Sequence, residues 1–388
     1  MKKKSNGEGS IVKRSDGRYM ARYTLNSKRY AIYGSTFEEV RVQLTEVLAN
    51  IDKGDHVAPS GHTVSQWFRE WLITYALPTV KQSTYISYES YVRLHLEPAL
   101  GTTKLTSLTI EQLQRFFNQK QQTLAVKSLR NIYNMLHACL NQAVINGHLI
   151  RNPINGVKLP AATKKEIRIL SSQEQAVLHT TASTSTTLSA FGIIFALSTG
   201  LRLGELLGLQ WGDIDYTSHS IQVRRTVGRL QKVDADGNLI SRTTGVPTTE
   251  IVARSPKSAN ACRTIPLFPQ VWNDLMAYQD KQKEILLSQR IPITTSTPIF
   301  STPTGLMYEP RTYEDLFKRT LKAAGLQDIN FHALRHTFAT RALEAGMDIK
   351  VLSSILGHAQ ASTTLNLYVH ALPDHKKTSM EKMGAFYG

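Results

Sequence analysis

Cysteine is almost missing from this sequence: Cys139 and Cys262 are the only two in 388 residues, and no Cys-x-x-Cys pair occurs. That excludes a zinc ribbon and a disulfide framework, and leaves two reduced, partly buried thiols as the expectation. Long apolar runs are missing too. The most apolar stretch, residues 188–201, is broken by Ser189, Gly192, Ser198, Thr199 and Gly200, so it reads as a buried helix and not as a membrane span. Lys2, Lys3 and Lys4 are followed by Ser5-Asn6-Gly7-Glu8-Gly9 where a signal peptide would have an apolar core, so the chain is expected to stay in the cytoplasm. Metal-ligand patterns are wanting: there is no His-Glu-x-x-His, and Asp234-Ala235-Asp236-Gly237-Asn238 lacks the later acidic ligands of a calcium loop. No repeat or low-complexity run is present. Acidic residues are in deficit, 30 against 46 Lys and Arg, for a net charge of +16. Such a balance points to a polyanionic partner, nucleic acid before an anionic membrane surface.

The length exceeds one compact core, so two or three domains are expected. Residues 9–33 alternate Ile11, Tyr19, Ala21, Tyr23, Tyr30 and Ile32 with polar positions, and Asp16-Gly17 and Asn26-Ser27 supply turns. A helix follows over 36–50, capped by Ser35 or Thr36, with Phe37, Val40, Leu44 and Leu48 on one face and Gly54 as its end. The first 30 residues carry nine Lys or Arg against Glu8 and Asp16. Arg18, Arg22, Lys28 and Arg29 sit among aromatics on strands, a pattern suited to entering a DNA groove; a solvated basic tail is the blander alternative. After a linker at 56–61 containing Pro59 and Gly61, a helical region runs to about residue 155. Its apolar stripes are Val64, Trp67, Phe68 and Trp71; Tyr85, Tyr88, Tyr91, Val92 and Leu94; Leu113, Phe116 and Phe117; and Leu129, Ile132, Leu136, Leu140 and Val144. Such stripes are core. The opposite faces bear Lys81, Lys104, Arg115, Lys120, Lys127 and Arg130, and Lys81, Lys127 and Arg130 are carried forward as DNA-contact candidates.

A second linker covers 161–166, with Lys164 and Lys165, and the pattern then turns to mixed α and β. Ser171-Ser172-Gln173-Glu174 predicts a capping box. A strand is expected over 220–227, a hairpin turn at Asp236-Gly237 and a return strand over 264–267, with helices around Val271, Tyr313, Phe331 and Ile349. The stretch 229–252 is longer than a tight hairpin needs; it reads equally as an extra β-hairpin touching DNA or a neighbouring subunit and as a disordered loop.

Four segments of this region set polar groups in apolar surroundings. In Gly-Leu-Arg-x-Gly-Glu, Glu205 lies three residues after Arg202, so a helix would present both on one side: a plain ion pair, or an anion-binding guanidinium held by a carboxylate. Lys257 precedes Arg263-Thr264-Ile265-Pro266 at a hairpin and alone would be a solvated charge. In His-x-Leu-Arg-His, His332 and Arg335 share a helical face, and an arginine fork matches phosphate oxygens while histidine donates to them. Leu334, Phe338, Ala342 and Leu343 would pack that helix into a core. Last, Leu356-Gly357-His358 marks a helix C-terminus, and Tyr368 follows on another apolar segment.

Together, in this order, these motifs resemble the tyrosine recombinase (phage integrase) family, over about residues 168–375. Residues 62–158 resemble its helical core-site-binding domain, and residues 1–55 the arm-site-binding domain of integrases from phages and conjugative transposons. The resemblance implies a multidomain fold: a small β-sheet-plus-helix N-terminal domain, an all-α core-binding domain, and a mixed, mainly-α catalytic domain with a small antiparallel sheet. It implies Tyr368 as nucleophile, Arg202, Arg335, His332 and His358 around the scissile phosphate, Lys257 as general acid with Lys232 as a less favoured substitute, and Glu205 orienting. His336 is cast as structural. No metal or other cofactor is implied, and none is needed to rejoin strands. The implied partners are double-stranded DNA at core-type and arm-type sites and a homotetramer, with room for accessory DNA-bending or directionality proteins, in a bacterial cytoplasm. Residues 376–388, with Met380, Met383, Phe386 and Tyr387, would contact a neighbouring subunit. Three other readings compete: a topoisomerase-like relaxing enzyme, a DNA-binding protein with a vestigial site, and a metal-dependent nuclease.

Overall fold

The computed structural model describes residues 9–25, 28–52, 61–161, 168–240, 247–254, 262–358 and 383–384. The chain divides into two units, Met1–Lys164 with Val233–Ser241, and Lys165–Lys232 with Arg242–Gly388.

The first unit opens with an antiparallel sheet of β1 (Ser10–Lys13), β2 (Tyr19–Leu25) and β3 (Lys28–Gly34), in that order. The expected Asp16-Gly17 turn is there, with Gly17 at φ +83°, a conformation that favours glycine. Helix α1 (Phe37–Asp52) lays Val40 and Leu44 on Ala21 and Tyr23. Phe37, expected in that stripe, is instead 48% exposed and meets Tyr19 edge-on. It is the first helical residue, at the sheet end where Tyr19 pairs with Gly34. The turn at Asn26-Ser27 and the stop at Gly54 lie outside the described residues.

Helices α2 (Val64–Trp71), α3 (Gln82–Tyr91), α4 (Glu97–Leu100), α5 (Ile110–Lys120) and α6 (Val126–Ile145) build the helical core, with π turns at Leu72–Ala76 and Val92–Leu96. Thr63 and Gln66 cap α2 reciprocally, as Thr109 and Gln112 cap α5. The predicted stripes around Trp67, Phe117 and Ile132 are buried together. Leu94 is the exception: it is 54% exposed while Leu96 is buried. Two residues past Val92 is about half a turn around the helix, whereas four residues nearly complete a turn and return to the inward face. Residues 233–240 pack with this unit. Val233 joins its core, and the Tyr85 hydroxyl donates to the Gly237 carbonyl at 2.6 Å.

In the second unit, α7 (Ser172–Ser183) starts from the predicted Ser171–Glu174 capping box. Helix α8 (Phe191–Thr199) is buried on nearly all sides, as its apolar composition demands. Helix α9 (Leu203–Gly208) and β4 (Ile214–Asp215) follow. The strand expected over 220–227 is two strands. β5 (Ser220–Val223) pairs with β4 and β8, whereas β6 (Thr226–Gln231) pairs with β7 (Thr249–Arg254) in an extra hairpin; β8 spans Arg263–Pro266. The break falls where Arg225 turns its guanidinium to buried Asp213 (2.6 Å) and the Gly208 carbonyl (3.1 Å). Helices α10 (Pro269–Ser288), α11 (Pro310–Ala323), α12 (His332–Glu344) and α13 (Ile349–Leu356) complete the unit around Phe195, Leu206, Ile265, Phe300, Tyr313 and Phe331. Of the two cysteines, Cys139 is buried but Cys262 is exposed, correcting the expectation; it precedes the first paired residue of β8. Among the described residues no helix is long and apolar enough to cross a membrane.

Candidate active site

Gly200 ends α8 in the left-handed region at φ +66°, and a Cβ there would fall 2.5 Å from a Phe338 ring carbon. The chain must turn here, and the turn presents Arg202. The sequence suggests Arg202 and Glu205 on one helix; the structure places Arg202 just before α9, in extended conformation. Glu205, in the first turn, accepts from the Arg202 backbone N–H (3.0 Å) and from Arg202 Nη1 (2.7 Å). Glu205 is buried, and the Arg202 side chain is 38% exposed. The carboxylate both caps α9 and holds the guanidinium at the surface.

Helix α12 begins at His332, which is exposed, and one turn later Arg335 is only 1% exposed. The shared face predicted from their spacing is therefore split by depth. Arg335 Nη1 donates to the Gly200 carbonyl (2.9 Å), and Nη2 to the Leu356 carbonyl (2.6 Å) and to His358 Nε2 (2.8 Å). A guanidinium only donates, so Nε2 accepts and the imidazole proton sits on Nδ1. His358 follows Gly357, which closes α13 at φ +65° as its place in the motif predicts. The amides of Gly357 and His358 bond back to Ser354 and Ser353, so the turn is fixed by backbone bonds.

Electrostatics tie these groups into one cluster. Desolvation, then the charges of His336, Arg335 and Arg202, push the His332 pKa down to about 4. Desolvation, then Arg335, Arg202 and Arg263, push His358 down to about 4 as well. Both imidazoles are thus neutral at neutral pH. For Glu205, burial raises the pKa, but the Arg263 hydrogen bond and charge and the Arg202 charge outweigh it and hold the carboxyl at about 2.

One member escapes the sequence reading. Arg263, at the head of β8, has a side chain only 5% exposed. It donates to both Glu205 oxygens, at 2.9 and 3.2 Å, and through Nε to the Ile355 carbonyl. Its one sequence signal is an arginine opening an otherwise apolar-patterned strand, Thr264-Ile265-Pro266-Leu267.

The structure thus brings together Arg202, Glu205, His332, Arg335 and His358. Lys257 and Tyr368 lie outside the described residues, as does the tail 376–388 apart from 383–384. Lys232 stands 3.8 Å from Glu250 across the β6–β7 hairpin, and half-buried His336 meets the His332 ring edge-on at 4.7 Å. Among the described residues no cluster of His, Cys, Asp or Glu is arranged to hold a metal. The candidates for DNA contact lie elsewhere. Exposed Arg22 and Arg29 share the outward face of β2 and β3, opposite Ala21 and Tyr23. Lys28 begins β3, and Arg18 is exposed but paired with Asp16 at 2.9 Å. Lys127 and Arg130 are exposed one turn apart on α6, and exposed Lys81 precedes α3.

Comparison with known proteins places the chain in a family. The phage integrase family matches residues 167–375, and the phage integrase N-terminal SAM-like domain matches residues 63–121. A tyrosine recombinase XerC-like protein of Caldanaerobacter subterraneus subsp. tengcongensis is 29% identical over 370 residues, 92% of each chain. The ICEBs1 integrase of Bacillus subtilis is 25% identical over 308 residues, 78% of each chain. The Tn1549 transposon integrase, solved with transposon right end DNA, shares the fold at a TM-score of 0.67 and 23% identity, over 83% of this chain and 99% of that one. A lambda integrase tetramer bound to a Holliday junction shares it at 0.56 and 19%, over 93% and 96%. With more than half of its length matched, and every residue of the Arg202–His358 cluster inside the match, the chain belongs to the phage integrase family and is a tyrosine recombinase, an enzyme of site-specific DNA recombination.

Proposed function

We propose that Tyr368 is the nucleophile of this recombinase and that the Arg202–Glu205–His332–Arg335–His358 cluster holds the scissile phosphate for it. The Tyr368 hydroxyl gives up its proton to solvent as its oxygen attacks phosphorus, the bond to the 5′-oxygen breaks, and Lys257 supplies the proton that the leaving oxygen takes up and is reprotonated from solvent. A 3′-phosphotyrosine link and a 5′-hydroxyl result. Attack by the 5′-hydroxyl of another strand reverses the step, so the count of phosphoester bonds is conserved and no triphosphate is consumed. Charge growing on the phosphoryl oxygens is met by the exposed Arg202 guanidinium and by the imidazole N–H groups of His332 and His358. Arg335, buried beneath, adds its fixed positive charge and sets the His358 tautomer. The observation that carries this reading is the gathering of those groups where the starts of α9 and α12 meet the end of α13.

The substrate is double-stranded DNA, and the working form is a homotetramer, acting in the cytoplasm of a bacterial host. We assign residues 1–55 to arm-type sites through Arg18, Arg22, Lys28 and Arg29, and residues 62–158 to core-type sites through Lys81, Lys127 and Arg130. Residues 168–375 form the catalytic domain, and residues 376–388 contact a neighbouring subunit. The solved complexes of the Tn1549 and lambda integrases with DNA, the latter as a tetramer, support this reading. The test is a duplex carrying the element's own end, nicked beside the cleavage point so that the released fragment diffuses away. A covalent protein–DNA adduct, insensitive to EDTA and lost in Tyr368→Phe, is expected. No adduct from the wild-type chain on any element end, or one that survives Tyr368→Phe, overturns the proposal.

A further inference from the structure

We infer that Arg263 is a positioning residue of the strand-cleavage site, setting the separation between the Arg202 guanidinium and the His358 imidazole. The inference rests on the proposed phosphate-binding role of those two groups. Arg202 and His358 come from different elements, the turn before α9 and the end of α13, and a phosphate held between them requires a fixed gap. Two guanidiniums span it: Arg335 ties the Gly200 carbonyl to Leu356 and His358, and Arg263 is the one that reaches the Glu205 carboxylate holding Arg202. On one side Arg263 grips both oxygens of Glu205, whose Oε1 and Oε2 in turn accept from the side chain and backbone of Arg202. On the other side its Nε donates to the Ile355 carbonyl in the last turn of α13, three residues before His358.

The fit around this fork is close. A Cβ on Gly357 would lie 3.0 Å from Arg263 Nη1, 3.1 Å from Cδ and 3.2 Å from Cζ. Glycine in the Leu-Gly-His motif therefore serves twice, for its left-handed backbone and for the room it leaves the guanidinium. Arg335 donates to the neighbouring Leu356 carbonyl at 2.6 Å, so two arginines hold the carbonyl end of α13 by adjacent residues. An arginine suits the task because its planar fork makes several bonds in fixed directions. A lysine ammonium keeps the charge beside Glu205 but cannot reach the carboxylate and the Ile355 carbonyl in the same geometry.

Arg263→Lys separates positioning from simple charge balance. We expect it to retain folded structure by near-ultraviolet circular dichroism and to bind the nicked element-end duplex within about threefold of wild type, since it touches no DNA in this scheme. Its single-turnover cleavage rate at saturating DNA should fall by about tenfold or more, the scale on which a misplaced catalytic group is felt. Arg263→Ala should be slower still, and added guanidinium ion at millimolar concentration should restore part of its rate where methylammonium does not. Rates are compared at a temperature where each variant is fully folded. Wild-type cleavage in Arg263→Lys overturns the inference, as does a loss that vanishes once each variant is compared fully folded, or rescue by methylammonium as good as that by guanidinium. Failure of wild type to form any Tyr368-dependent adduct is a different result: it removes the underlying site assignment and the inference with it.

Discussion

Replacing Glu205 by Gln removes one negative charge from a buried site shared by two guanidiniums, and the cost can be worked in two ways. The carboxyl is held at about 2 in the folded chain against an ordinary value of 4.5. By linkage, such a depression stabilises the folded unit by ~3 kcal/mol at neutral pH. Breaking a buried pair by neutralising one partner costs ~3–5 kcal/mol, because Arg263 is left charged and almost without water. The two figures agree in scale. The folded pKa is lowered, so this stability is fully present above 4.5 and is lost as pH falls toward 2. Hydrogen exchange of α8 and α12 peptides across a urea series, corrected for intrinsic rates, reads this unit apart from the helical one. Glu205→Gln should open it more easily at neutral pH by ~3 kcal/mol, and the gap should close as the solution is acidified. A gap below ~1 kcal/mol at neutral pH, or one that stays constant on acidification, would show that packing and not charge holds the cluster.

Four further outcomes are expected. Arg202→Lys should slow adduct formation by ~10²-fold with little change in DNA affinity, because an ammonium cannot form the planar fork to phosphate; a rate within threefold of wild type on a gel assay contradicts this. His332 and His358 have pKa values lowered to about 4, so their contribution to stability is present above 6.5 and lost as pH falls through about 4. Nuclear magnetic resonance titration of the two rings in the DNA-free chain should show both neutral at pH 6.5, and protonation near 6.5 would refute it. A Cβ on Gly204 would meet Thr226 Oγ1 at 2.5 Å and the Val227 carbonyl at 2.6 Å, so Gly204→Ala should destabilise the second unit by ~1–3 kcal/mol in calorimetry. Tyr85→Phe removes the 2.6 Å bond to the Gly237 carbonyl and should raise the rate of proteolytic nicking within 233–241, with a cost of ~1–2 kcal/mol; unchanged nicking counts against that anchor.

Much of this protein was legible in the amino-acid order because the relevant physics is local. Alternation with an Asp-Gly turn gives β1 and β2, a Ser-x-x-Glu box starts α7, and the spacing of Val64, Trp67, Phe68 and Trp71 gives a buried helical face. Glycine at 200 and 357 marks helix ends because both need a left-handed backbone. The order of the Arg202, His332–Arg335 and Leu356–His358 motifs was enough to imply the chemistry. Where a side chain's fate depended on what folds against it, local pattern failed: Phe37 and Leu94 are apolar yet exposed, and 220–227 is two strands because Arg225 finds Asp213.

The sequence by itself determined most element types, the charge balance that calls for a polyanion, and the motifs from which the proposed site is drawn. Only the tertiary structure decided that Arg202 precedes its helix instead of riding on it, that Arg335 is buried while His332 is exposed, and that Arg263 joins Glu205 to the end of α13. Those are contacts across some twenty to one hundred and thirty-five residues of chain, as in the Arg335 bonds to His358 and to Gly200. Their partners are chosen by the packing of whole helices and strands, and no spacing within one segment encodes that choice.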